Sequence, residues 1–235
     1  MAKHSRSRAP KLNYAHAALG AVVIAGALVP TQIAQADKLP LADSPRVAAL
    51  AGAPKEDAAR VSAAGKAQTK AMPSAAAVLA EAKKQIGIKE NAAGGGTKFQ
   101  NWYVNSQRAR ETVARDGGSV TAYANAAWCA MFVSWVGEQT GARPQVGWDA
   151  YTVAHAKWFK ANKRWGQTPK PGAVVFFSWS GSKSLDDINH VGFVEKGNGD
   201  GTISTIEGNT GNGVVEQRVR PTSQVVGYGY PTYSG

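Results

Sequence analysis

The chain contains a single cysteine, Cys129, at the start of an apolar stretch. We expect a helix to begin there, and unpaired backbone N–H groups at a helix start favour a thiolate, the form of cysteine that attacks carbonyl carbon. Without a second cysteine, an intramolecular disulfide and a multi-cysteine zinc or iron–sulfur site are excluded. Cys129 is therefore a candidate nucleophile, and the alternatives are an intermolecular disulfide and a buried inert thiol.

A nucleophilic cysteine needs a base, and the chain has four histidines. His4 and His16 lie in an N-terminal segment that we expect to be removed. His155 lies in the middle of a predicted helix, where we expect a position at the surface. His190 opens a predicted strand and is the candidate general base.

Glu207 and Asn209 are the candidates for a third group that orients the imidazole. They are two residues apart on a predicted strand, so their side chains share one face. If the turn between the two strands has two residues, His190 lies opposite Glu207, whereas a four-residue loop places His190 opposite Asn209. Either register brings a carboxylate or an amide beside the imidazole, and a slip of one residue would point both away.

The order of the predicted elements places helices before strands. Helical spacing and apolar runs free of proline predict helices over 75–86, 99–114, 128–139 and 148–161. Short runs rich in β-formers predict strands over 173–179, 190–196, 202–209, 214–220 and 225–230. The sequence therefore predicts an α+β domain over residues 74–235, with N-terminal helices packed on an antiparallel sheet of about five strands.

Residues 1–36 have the order of a secretory signal peptide: basic residues, an uncharged run over 17–29, and Ala34-Gln35-Ala36. The uncharged run is shorter than the roughly 20 residues that span a bilayer, so we expect no stable membrane anchor. Cleavage after Ala36 would make the protein secreted, either extracellular or associated with the cell wall. Residues 37–73 contain no aromatic residue and are rich in Ala, Pro and Lys, which is typical of a flexible linker.

The formal net charge is +11 for the whole chain and would be +7 after cleavage, which suits a protein that meets an anionic cell envelope. We expect no nucleic-acid partner, because the sequence contains no motif of basic and aromatic residues that is typical of a nucleic-acid-binding domain. We also expect a monomer. Trp128 and Trp179 are candidate substrate-binding residues, because they lie close in sequence to Cys129 and His190.

Four ordered blocks resemble the CHAP family, the cysteine, histidine-dependent amidohydrolases/peptidases of the papain-like/NlpC-P60 superfamily. The resemblance extends over about residues 78–230. The blocks are Trp128-Cys129-Ala130-Met131-Phe132-Val133-Ser134-Trp135, Pro171-Gly172-Ala173-Val174-Val175-Phe176-Phe177, His190-Val191-Gly192-Phe193-Val194 and Ile206-Glu207-Gly208-Asn209-Thr210.

This resemblance implies a papain-like fold and cleavage of an amide bond in peptidoglycan. Cys129 would be the nucleophile and His190 the general base and then acid. Glu207, Asn209 or both would orient the imidazole. The bond could be the one cut by an N-acetylmuramoyl-L-alanine amidase or one cut by a peptidoglycan endopeptidase.

The chain departs from relatives that carry an acidic, calcium-type loop before the histidine. Asp186 and Asp187 alone offer too few oxygen ligands for calcium, so we expect no metal and no cofactor. Two other functions compete with a peptidoglycan hydrolase. The domain could be a general papain-like protease, or a catalytically silent cell-wall-binding or structural module.

Overall fold

The computed structural model describes residues 71–235. The expected signal peptide over 1–36 and nearly all of the expected linker over 37–73 lie outside this range. Within it, no helix combines the length and the apolar character that crossing a membrane requires.

The helices of the described part come before the main strands. They are α1 Ala75–Lys83, α2 Lys98–Val104, α3 Gln107–Asp116, α4 Cys129–Thr140, α5 Arg143–Val146 and α6 Thr152–Ala161. The helix expected over 99–114 is two helices, because the Ser106 side chain accepts a hydrogen bond from the Ala109 N–H and starts a new helix. The helix expected over 128–139 is α4, and it ends at Gly141 in the left-handed conformation.

The strands form one antiparallel sheet in the order β1-β6-β2-β3-β4-β5. They are β1 Trp165–Gly166, β2 Val174–Phe177, β3 His190–Gly197, β4 Thr202–Thr210, β5 Val214–Pro221 and β6 Val225–Gly229. All five expected strands are present. The additional strand, β1, has two residues, too few for a sequence pattern to indicate it. The α+β architecture is therefore confirmed.

Helix α4 lies at the centre of the core, against β3 and β4. Every residue from Cys129 to Ser134 is buried, so the first half of the helix is enclosed on all sides. Phe132 packs edge-on against Phe193 of β3, with 6.3 Å between the ring centroids. Phe99 of α2 closes the core from the other side by packing on Phe132. This packing fixes the first residue of α4 beside the start of β3.

The hairpin of β3 and β4 has the longer of the two loops considered above. β3 ends at residue 197 and β4 begins at residue 202, so four residues connect them. Next to the loop Gly197 pairs with Ile203, and a register shift between Val194 and Lys196 brings Phe193 opposite Ile206, where the pairing toward the start of β3 ends. One residue further in this register, Glu207 would lie opposite Gly192, on the face of the sheet that carries His190, whereas β4 is irregular between Glu207 and Thr210, so strand alternation does not place Asn209.

Candidate active site

Cys129 is the first residue of α4 and is 5% exposed. Two hydrogen bonds fix the chain just before it. The Gln100 side chain donates to the carbonyl of Ala126 at 2.9 Å, and Nε1 of Trp128 donates to Glu90 at 3.1 Å. The sulfur is therefore held beside the first turn of a helix, where backbone N–H groups have no partner within the helix.

His190 is buried between Cys129 and Glu207. Its Nε2 donates to Oε2 of Glu207 at 2.9 Å, so Nδ1 is the ring nitrogen that remains for another partner. Burial disfavours the imidazolium, but hydrogen bonding to Cys129 and Glu207 outweighs burial and raises the pKa of His190 to about 9. The ring therefore keeps its second proton at neutral pH.

Glu207 has no exposed surface, and three side chains donate to its carboxylate. Besides His190, they are Thr205, whose Oγ1 lies 2.6 Å from Oε1, and Arg220, whose Nη2 lies 2.6 Å from Oε2. Burial favours the neutral acid, but the hydrogen bonds from His190 and Arg220 outweigh it and lower the pKa of Glu207 to about 2. The carboxylate that accepts the hydrogen bond from the imidazole is thus a full negative charge across the physiological range.

Of the two candidate orienting residues, Glu207 and not Asn209 contacts His190. The Glu207 side chain crosses Gly192 to reach the imidazole, since a Cβ added at Gly192 would lie 2.8 Å from Cγ of Glu207. Asn209 sits at an irregularity of β4 and has a left-handed backbone, with φ of 55°. No hydrogen bond joins its side chain to His190 in the part of the chain that the structure describes.

The two tryptophans proposed to contact substrate have different positions. Trp128 is fully buried and stacks on Phe99, with centroids 5.3 Å apart, so its side chain presents no surface to a substrate. Trp179 is 38% exposed, and its ring centroid lies 5.1 Å from that of His190. It remains a candidate for contact with substrate.

His155 is not at the surface, which corrects the expectation from its place in the helix. It is fully buried, and its Nε2 lies 2.6 Å from the carbonyl oxygen of Val146. Its ring stacks on Phe159, and burial lowers the pKa of the imidazole. His155 is thus a neutral residue of the core.

Three residues of the site were not found from the sequence: Gly192, Thr205 and Arg220. The alternation of charge at Glu216, Arg218 and Arg220 indicates one charged face of a strand. It does not indicate which of these side chains meets Glu207, because that contact joins two strands.

Among residues 71–235, no group of three His, Cys, Asp or Glu side chains is placed to hold a metal ion. Asp186 pairs instead with Lys157 at 2.7 Å, and Asp187 accepts a hydrogen bond from Ser182.

Residues 118–209 match the family model of the CHAP domain, which confirms the resemblance drawn from the four blocks. The match includes Cys129, His190, Glu207 and Asn209 and ends before Arg220. CHAP domains are in general amidohydrolases or peptidases of the peptidoglycan-hydrolase type. Comparisons with curated proteins and with solved structures gave no match.

Replacing Glu207 by Gln should lower the pKa of His190 by at least about one unit, because the imidazolium loses the adjacent negative charge. Asn209→Gly is the matched control, since glycine keeps the left-handed backbone and removes only the side chain. NMR titration of the His190 ring measures both variants. A fall in the Asn209→Gly variant alone would show that the orienting group has been misidentified.

Replacing Gly192 by Ala should displace the Glu207 side chain and lower the pKa of His190 in the same titration. The added methyl group should also reduce the free energy of unfolding by about 1–3 kcal/mol. Gly197→Ala, in the same strand, is the control, because its Cβ would come no closer than 3.2 Å to Pro169. Equal pKa values in the two variants would contradict the route of Glu207 across Gly192.

Proposed function

As the chain carries a CHAP domain, we propose that it is a secreted peptidoglycan hydrolase that cleaves an amide bond by Cys-His nucleophilic catalysis. Two activities fit this proposal, that of an N-acetylmuramoyl-L-alanine amidase and that of a peptidoglycan endopeptidase. The observation that supports it most is the position of one thiol beside a charged imidazole that a buried carboxylate orients. Action outside the cell follows from the expected signal peptide over 1–36.

In the first half of the reaction, the Cys129 thiolate attacks the carbonyl carbon of the scissile amide. The negative charge that develops on the carbonyl oxygen is stabilised by the backbone N–H of Cys129 at the start of α4. His190 then donates the proton on Nδ1 to the nitrogen of the leaving amine. The carbon–nitrogen bond breaks, and the acyl group remains on sulfur as a thioester.

In the second half, the neutral His190 accepts a proton from water as the water oxygen attacks the thioester. The carbon–sulfur bond breaks, the acid product leaves, and the thiolate and imidazolium are restored. Glu207 stays ionised throughout, so the ring is held in one orientation while its proton leaves and returns.

The exposed part of Trp179, beside His190, is a surface on which a polymeric substrate can bind. Trp179 offers a half-exposed indole next to the imidazole, on which a peptide or sugar could stack. Without the expected signal peptide, which holds four basic and no acidic residues, the formal net charge would be +7, and this charge would concentrate the protein on an anionic cell wall, an effect that salt weakens. A silent wall-binding module would not require a buried carboxylate bonded to both an imidazole and a guanidinium, so this alternative is disfavoured.

Cys129→Ala and Cys129→Ser should each reduce the hydrolysis of purified cell walls by at least about a thousandfold, because the nucleophile is lost. Turbidity of the wall suspension measures the rate, and mass spectrometry of the released fragments shows which amide bond is cut. Circular dichroism is the control for folding. Full hydrolysis by Cys129→Ala would exclude the mechanism, and rapid cleavage of casein by the unmodified protein would favour a general protease.

The rate of amide hydrolysis should fall above about pH 9, where His190 loses the proton that the leaving amine needs. The sign follows from the raised pKa: the imidazolium is fully present at lower pH and disappears as pH rises. Alkylation of Cys129 by iodoacetamide needs only the thiolate, so its rate should not fall over the same range. A parallel loss of both rates would contradict a role for His190 as the acid.

A further inference from the structure

We propose that Arg220 is a positioning residue of this site, which acts on His190 through Glu207. The inference rests on the proposed function and extends it to a residue outside the matched family region, 118–209. Arg220 lies on β5, the edge strand of the sheet, whereas Glu207 lies on its neighbour β4.

The guanidinium group binds both oxygens of the Glu207 carboxylate. Nε of Arg220 lies 2.9 Å from Oε1 and 3.2 Å from Oε2, and Nη2 lies 2.6 Å from Oε2. Such two-pronged contacts fix the plane of a carboxylate as well as its charge. Because Glu207 has no exposed surface, water does not stabilise its charge, and Arg220 and His190 are its ionic partners.

The guanidinium is itself held in place from two sides. Its Nη2 donates to Oγ1 of Thr210 at 2.9 Å, and its carbon lies 4.9 Å from the ring centroid of Trp179. Trp179 also stacks on Phe177 at 5.6 Å, which fixes the indole against the sheet. The two side chains of a flexible surface ion pair lack such restraints. The geometry therefore indicates that Arg220 holds the Glu207 carboxylate in one fixed position.

The charged and titratable groups around Glu207 come from three neighbouring elements. They are His190 from β3, Cys129 from α4 by way of the imidazole, and Glu216, Arg218 and Arg220 from β5. Glu216 and Arg218 pair with each other at 2.6 Å. Arg220 is therefore the cation that neutralises Glu207 when His190 has given up its proton.

This arrangement assigns Arg220 a defined task during turnover. When the imidazole is neutral, the buried carboxylate would otherwise tend to take up a proton, and a protonated Glu207 would no longer orient the ring as a charge. The guanidinium keeps Glu207 ionised and aligned at that moment. Its removal should therefore affect the reactivity of Cys129, although Arg220 does not act on the substrate.

The test measures the rate of Cys129 alkylation by iodoacetamide as a function of pH, which needs no cell wall and is unambiguous because the chain has one cysteine. In Arg220→Gln, the rate at pH 5 should fall at least about tenfold, which is the effect of losing even one of the charge-assisted hydrogen bonds to Glu207. The part of the profile in which the alkylation rate rises with pH, its acid limb, should move to higher pH. The reason is that Glu207 takes up a proton more readily once the positive charge of Arg220 is removed.

Arg220→Lys should restore the acid limb, because it keeps the charge, while wall hydrolysis stays several-fold slower for lack of the two-pronged contact. Arg218→Gln is the matched control: it removes the same charge from the same face of β5 and should leave the profile unchanged. Wild-type behaviour of Arg220→Gln, or an equal shift in Arg218→Gln, would overturn the proposal.

Two further results would have a definite interpretation. If circular dichroism shows that Arg220→Gln does not fold, Arg220→Lys decides alone, and wall hydrolysis at the wild-type rate would overturn the proposal. If the wild-type protein cleaves no cell wall but the alkylation profiles shift as expected, the role of Arg220 is supported and the proposed substrate is wrong.

Discussion

The site depends on one buried negative charge, the carboxylate of Glu207, which lies between the imidazole of His190 and the guanidinium of Arg220. A carboxylate removed from water is costly unless hydrogen bonds and opposite charges surround it. This requirement links three strands, since β3, β4 and β5 each supply one member of the group. Helix α4 then needs only to bring its first residue to the far side of the imidazole.

The architecture follows from patterns that are local in sequence. Apolar spacing, capping residues and turn residues indicate the helices and strands, and their order indicates the α+β class. Cys129 and His190 were identified because each is rare in the chain and begins an element. The structure adds that the packing of α4 on β3 brings these two element starts close enough for Cys129 to raise the pKa of His190.

The identity of the orienting residue could not be obtained in this way. Strand alternation leaves Glu207 and Asn209 on one face, and the loop length alone would favour Asn209. In the structure it is Glu207 that contacts His190, because its longer side chain reaches across Gly192, which has no Cβ to block it. The burial of Trp128 and His155 was missed for a related reason. Trp128 was expected near the substrate because it precedes Cys129, and His155 was expected at the surface because its side chain is polar. Neither property shows that neighbouring elements of the fold enclose the residue. Arg220 was missed because its partner lies on another strand.

The most direct test compares loss of activity with modification of the single thiol. Cys129 can be alkylated to different extents, the modified fraction counted by mass spectrometry, and wall hydrolysis measured on each sample. We predict a linear decrease that reaches zero when one alkyl group is present per chain. Full hydrolysis by completely alkylated protein would contradict the account, because the bond would then be broken without the sulfur.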